Sequence, residues 1–244
     1  MRNIVLVIEY DGTNYHGWQI QKNAVTVQEV ITKAIKKITS EDVNLIGSSR
    51  TDAGVHALNQ VANFISNCNI PLSKIPNALN SVLPKDIVIR DAYEAGMDFH
   101  SRYSAKGKRY KYIIYNRKFN SPICRNYSWH ISDELDLDKM VESLTYLKGT
   151  HDFSAFKASG SSVKDSIRTV RDISLKKNDF NVEFEIEADG FLYNMVRIIV
   201  GTIVDVGLGK INPIHVKEIL ESKDRCMAGK TAPPQGLFLT KIYY

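Results

Sequence analysis

Thr26-Val27-Gln28-Glu29-Val30-Ile31-Thr32-Lys33-Ala34-Ile35-Lys36-Lys37-Ile38 carries two helix signals at once. Thr26 followed three residues later by Glu29 is a capping box, which satisfies the free N–H groups of a first turn. Val27, Val30, Ile31, Ala34, Ile35 and Ile38 then recur at helical spacing, so one stripe is apolar and the helix must bury it. Before this helix, Ile4 to Tyr10 reads as a strand closed by the turn pair Asp11-Gly12. After it come short strands near Val43–Ile46 and Gln60–Ile65. A second helix is predicted from Ser73 as cap, with Ile75, Ala78, Leu79, Val82 and Leu83 as its stripe and Pro84 as its stop. The strand Ile87 to Tyr93 completes a β-α-β-β-α-β order.

The same order repeats downstream. Lys108 to Tyr115 reads as a strand, Ser128–Ile131 as a shorter one, and Leu137, Met140, Val141, Leu144 and Leu147 as a helix face ended by Gly149. Phe180, Val182, Phe184, Ile186 and Ala188 alternate with Asn181, Glu183, Glu185 and Glu187, the mark of a sheet with one face buried and one wet. An apolar helix from about Leu192 to Val204 follows, then one with Asn212 as cap and Pro213 at its first position. Leu237 to Tyr243 closes as a strand. Two ferredoxin-like or RNA-recognition-like halves are therefore predicted, residues 1–104 and 105–244, with the boundary near Ser101–Gly107 and the two sheets joined. That order hosts many functions and names none of them.

Composition narrows the classes. With 43% hydrophobic and 24% charged residues over 244 positions, the chain reads as globular, and its apolar runs are too short to span a bilayer. The strand-like N-terminus has no small-residue cleavage site, so a cytoplasmic protein is expected. Cys68, Cys124 and Cys226 are odd in number and far apart, which indicates neither a disulfide framework nor a zinc site. No phosphate loop or dinucleotide fingerprint is present, since Gly207-Leu208-Gly209 lacks the third glycine. The six histidines show no metal-ligand spacing, so no cofactor or metal is expected. A formal charge of +5 favours a polyanionic partner only weakly. Lys106-Gly107-Lys108-Arg109-Tyr110-Lys111-Tyr112 says more, because it interleaves cations with rings as a surface for phosphates and stacked bases needs.

Two features invite chemistry. Gly47-Ser48-Ser49-Arg50-Thr51-Asp52-Ala53-Gly54-Val55-His56 packs polar side chains into a loop between two strands. An ordinary turn, with Asp52 at its start and Gly54 at positive φ, is the simplest account. An arginine two residues from an aspartate, on a loop carried by a sheet, argues instead for a working carboxylate. Arg197, in turn, stands among Met195, Val196, Ile198, Ile199 and Val200, where a guanidinium needs either a path to water or a carboxylate partner. Pairing with Asp52 across the two halves would keep that carboxylate ionised and oriented.

Taken together, several ordered segments resemble the bacterial tRNA pseudouridine synthase A family along essentially the whole chain. They are Tyr10 to Gln19, Arg50 to Ala57, Phe99 to Lys108, Tyr193 to Val200, and Ala228 to Leu237. Ser49, Ser101 and Tyr103 stand where the family often has Gly, Ala and Phe. The resemblance implies the pseudouridine synthase fold, an α/β (α+β) architecture in which the halves form one mixed, mainly antiparallel sheet with helices on one side. It implies a cofactor-free isomerisation of uridine in the tRNA anticodon stem-loop, at uridines 38, 39 and 40. Residue by residue, it places the nucleophile on Asp52, the substrate-contacting tyrosine on Tyr110, and the active-site arginines on Arg50 and Arg197. A stacked target base must first be turned out, at a cost of roughly a few kcal/mol. Arg50 is the candidate to brace the vacated space, an anchor within its own loop being the alternative. Lys106, Lys108, Lys111, Arg168 and Arg171 are candidates for holding phosphates, against the plainer reading of solvated strand faces. His56 is expected to fix the loop by bonding backbone rather than to act as a base. The resemblance also implies a homodimer. Two other classes fit part of the pattern: a non-catalytic RNA-binding protein with two RNA-recognition-like halves, and a hydrolase with an Asp–His pair.

Overall fold

The computed structural model describes residues 1–160 and 165–244, which divide into a unit of Met1–Lys106 with Phe238–Tyr244 and a unit of Gly107–Leu237. In the first unit, β1 (Arg2–Tyr10), α1 (Val27–Thr39), β2 (Ile46–Gly47), β3 (His56–Ser66), α2 (Ile75–Asn80) and β4 (Ile87–Ala95) follow the predicted order. β1 lies between β4 and β3, antiparallel to both. A central strand has no wet edge, and Ile4, Val5, Leu6 and Ile8 are fully buried.

Helix α1 forms as its sequence requires, with one change at its start. Thr26 Oγ1 accepts from Glu29 N at 3.4 Å, but the Glu29 carboxylate turns forward to Lys33 at 2.5 Å instead of back to the cap. Only half of the capping box is made. Helix α2 is shorter than the run Ser73–Leu83 predicts. Leu72–Lys74 is a 3₁₀ turn, Ser73 makes no cap, and Asn80 ends the helix by binding the backbone of Ile89 in β4 through both ends of its amide, at 2.8 and 2.9 Å. A side chain that satisfies a strand's N–H and C=O removes the reason for the helix to continue.

The second unit contains β5 (Gly107–Asn116), β6 (Trp129–Ile131), α3 (Leu137–Leu144), β7 (Gly149–Asp152), β8 (Ile167–Asn178), β9 (Asn181–Ala188), α4 (Met195–Gly207) and α5 (His215–Ser222). Its strands run β5-β9-β8-β7 in antiparallel pairs, with β6 parallel to β5 on the remaining edge. The alternation read in β9 is realised from Val182 onward, where Val182, Phe184, Ile186 and Ala188 are buried and the intervening glutamates half-exposed, but Phe180, read with the buried set, precedes the strand and is exposed. Strand β7 opens on Gly149 at positive φ (110°), and the sequence pattern does not predict it. Four residues with two polar side chains and a histidine carry no alternation, so only the partner strand makes them a strand. In α4 every residue except Arg197 and Asp205 is buried.

The last strand, β10 (Leu237–Tyr243), was grouped by sequence with the second half, yet Phe238–Tyr244 belong to the first unit. It runs parallel to β3, pairing Phe238 with His56 and Leu239 with Ala57. β2 occupies the same edge of β3 further along, at Ala62 and Asn63. None of the described helices is long and apolar enough to cross a membrane.

Candidate active site

The edge of β3 changes hands between β2 and β10, and the chain from Ser48 to Val55 must leave the sheet there. What it leaves behind is firmly tied. Gln60, fully buried in β3, accepts from Ser48 Oγ at 2.7 Å and from Ser49 N at 3.2 Å, and donates to Ser49 O at 2.7 Å. Tyr10 Oη lies 2.7 Å from Thr51 Oγ1, both residues buried. Trp18 N donates to Thr51 O at 3.1 Å, Gly54 N to Tyr15 O at 3.2 Å, and Val55 N to Asp52 O at 3.2 Å. Gly54 has φ 75°, as the third position of a type II turn asks.

These bonds impose an alternation. Ser49 and Thr51 point inward as anchors, so Arg50 stands exposed and Asp52 half-buried on the other side. A carboxylate on a pinned segment keeps a fixed geometry. His56 is 1% exposed and belongs to the anchors: its Nδ1 accepts from Gly12 N at 3.0 Å and its ring stacks on Phe238 at 4.7 Å.

The segment Tyr10 to Trp18 is the loop's second wall, a role that the residue pattern by itself did not disclose. A Cβ on Gly12 would fall 2.0 Å from Val55 O, and one on Gly17 2.5 Å from Thr51 O. Two backbones therefore touch with no room for a side chain. The available signal was the spacing of these glycines around Tyr15 and Trp18, which reads as a turn until its partner is known.

In the second unit, Tyr110 sits on β5 at 6% exposure with the edge of its ring against Phe191, centroids 5.1 Å apart at 88°. Arg197 is half-exposed on α4, where Nε donates to Ala232 O at 2.7 Å and Nη1 to Asn194 Oδ1 at 2.7 Å. Asn194 adopts φ 59° just before the helix, which brings its amide to the guanidinium. The backbone around Ala232 passes directly over α4. Gly201 permits this, since a Cβ there would meet Lys230 O at 1.8 Å. Burial pushes the Tyr112 phenol well above its ordinary range, and the Arg197 cation nearby offsets part of that.

The candidate phosphate holders fare unequally. Lys111 pairs with Glu183 at 2.8 Å and Glu185 at 3.5 Å, and its hydrogen bond to Glu183 raises its pKa. Arg109 meets Glu187, Glu185 and Asp172 at 2.8, 3.6 and 3.6 Å. The acidic face of β9 thus pairs with the cations in the middle of the basic strand. Lys106 is exposed at the unit boundary, with its N–H on Tyr243 O at 2.8 Å, and Lys108 is half-exposed. Arg168 bonds the backbone carbonyls of Asp165 and Ile167, and Arg171 is exposed. Among the described residues no three His, Cys, Asp or Glu side chains converge as metal ligands would.

A family model described as tRNA pseudouridine synthase matches residues 6–104 and 144–244. The chain belongs to this family. It is 66% identical to tRNA pseudouridine synthase A of Thermoanaerobacter sp. (strain X514) over 244 residues, the whole of both chains. The proteins of the same name from Acetivibrio thermocellus and Caldicellulosiruptor saccharolyticus are 59% and 57% identical, again over the whole of both chains. The family's enzymes are isomerases, and its match covers both the Asp52 loop and Arg197.

Proposed function

We propose that this enzyme converts uridine to pseudouridine at positions 38, 39 and 40 of the tRNA anticodon stem-loop, with Asp52 as nucleophile. The observation that carries the reading is the pinned loop. Its buried Ser49 and Thr51 are bonded on two sides, so the intervening Arg50 and the adjoining Asp52 are presented at fixed positions. Fixing a carboxylate in reach of a bound nucleotide removes orientational entropy from the reaction. In the isomerisation the N-glycosidic bond breaks, the uracil turns, and a carbon–carbon bond to the ribose forms, so every atom stays within the substrate. Asp52 can attack either the ribose carbon or the uracil ring, and both routes require it ionised.

In this reading Tyr110 packs on or bonds the flipped uracil, and Arg50 braces the space the base has left. Arg197, held by Ala232 and Asn194, supports the site as a fixed cation. Lys106, Lys108, Arg168 and Arg171 hold phosphates, with Lys111 contributing least. A cytoplasmic homodimer fits the family resemblance, and sedimentation of the purified protein tests the dimer.

The deciding experiment incubates the protein with an unmodified tRNA transcript, without added metal or nucleotide, and maps pseudouridine. Product at the three positions is expected. Asp52→Asn abolishes it while tRNA affinity stays within about threefold, because one carboxylate contributes little to polyanion binding. RNA binding without product in the parent protein would overturn the assignment.

A further inference from the structure

Past the C-terminal end of β5 the charge pattern changes. Arg109 and Lys111, in the middle of the strand, are matched by carboxylates of β8 and β9. Arg117, Lys118 and Arg125, beyond its end, take part in no ion pair among the described residues. Their bonds go to neutral groups: Arg117 Nη1 to Tyr115 Oη at 3.4 Å, and Arg125 Nη1 to Pro122 O. Three uncompensated cations within nine residues form a surface that attracts phosphate.

Rings lie among these cations. The Arg117 guanidinium covers Phe180 at 4.3 Å, and the Lys118 ammonium stands 5.5 Å from the Phe119 centroid. Phe180 is brought there by the turn at Asp179 (φ 54°) and held by Asn116 N on its carbonyl at 2.8 Å. Phe119 is 73% exposed and Tyr127 43%. A wet aromatic ring next to unpaired cations fits stacked bases between phosphates. Exposed apolar surface with no cations would instead have suited another protein.

We infer that Arg117, Lys118, Phe119 and Arg125 form a second tRNA-holding surface, which grips the substrate away from the nucleotide being isomerised. This inference rests on the tRNA reading given above. Along β5 the strand rise of about 3.3 Å per residue puts Arg117 roughly 23 Å from Tyr110. That separation is too long for one nucleotide to touch both and suits a structured RNA that extends beyond its anticodon stem.

The test compares a full-length tRNA transcript with an isolated anticodon stem-loop, using the intact protein. Replacing Arg117, Lys118 and Arg125 together by Ala is expected to raise KM for the full-length tRNA about tenfold and to leave kcat unchanged. The log–log salt slope of binding should fall by about 0.7–0.9 for each phosphate contact removed. KM for the stem-loop should not move. Phe119→Ala, at an exposed position, should raise KM for the full-length substrate alone, and it reads the surface independently if the triple variant folds poorly. Arg117→Lys with Arg125→Lys should restore most of the lost affinity. An unchanged KM for full-length tRNA, or an equal rise for the stem-loop, would overturn the inference. So would a change in sedimentation with no change in the salt slope, which would assign the surface to a protein contact. Absence of pseudouridine from the parent protein is a different failure, that of the functional reading itself.

Discussion

Tyr10→Phe tests whether the loop's anchors serve catalysis through Asp52. The substitution deletes one oxygen, leaves the ring in place, and takes the partner from Thr51 Oγ1, which lies 2.7 Å away in a residue only 7% exposed. An orphaned buried hydroxyl costs about 1–3 kcal/mol, so the urea midpoint should fall while the protein still folds. The backbone bonds from Trp18 and to Tyr15 remain, and the loop is loosened rather than lost. Because a misplacement of about 1 Å can cost a reaction roughly a hundredfold, kcat on tRNA should drop by between about tenfold and a hundredfold. KM should stay within about twofold, since Tyr10 is buried. Adding Thr51→Val to Tyr10→Phe removes both polar partners and should return most of the stability without returning kcat. Single-turnover pseudouridine formation at saturating enzyme, beside urea denaturation, measures both effects. A Tyr10→Phe enzyme with kcat within twofold of the parent would show that the backbone bonds alone position Asp52.

Arg197→Met keeps much of the side-chain volume and removes the guanidinium bonds to Ala232 and Asn194; it should lower kcat on tRNA by at least about tenfold, and normal turnover in a folded variant would remove Arg197 from the site. Gly201→Ala sets a Cβ 1.8 Å from Lys230 O and forces the crossing segment away, so denaturant titration should show a loss of roughly 2–3 kcal/mol; a loss under half of that would mean the segment gives easily. Tyr15, Tyr112 and Tyr244 have pKa values raised chiefly by burial, with Asp86 adding to the rise at Tyr15. Their neutral forms stabilise the fold fully below the ordinary phenol range near about pH 10, and this is lost as pH rises from there toward the raised folded-state values. Urea midpoints should therefore fall steeply above about pH 10, and Tyr112→Phe, although less stable at neutral pH for want of its bond to Pro233 O, should fall less steeply.

Local patterning was enough to specify a large part of this protein. The stripe Val27–Ile38 commits α1, because its apolar residues share a face whatever lies opposite, and the alternation Val182–Ala188 commits β9 for the same reason at a period of two. The polar density of Arg50–Asp52 and the stray cation Arg197 were also visible, since each breaks the pattern of its neighbours.

What needed tertiary structure were the features whose cause lies far along the chain. Asn80 ends α2 because Ile89 is beside it, and Gln60 and Tyr10 fix the loop because strands β3 and β1 bring them to Ser49 and Thr51. Lys111 meets Glu183, 72 residues away, only because the ladder between β5 and β9 sets them side by side. The terminal strand β10 lies on β3 at His56 and Ala57, β2 holds the same edge at Ala62 and Asn63, and the Asp52 loop leaves the sheet between them. Periodicity reports which side of a residue must be dry. Only the folded chain decides what stands on that side, because hydrogen bonds and ion pairs depend on distance in space and carry no trace in local spacing.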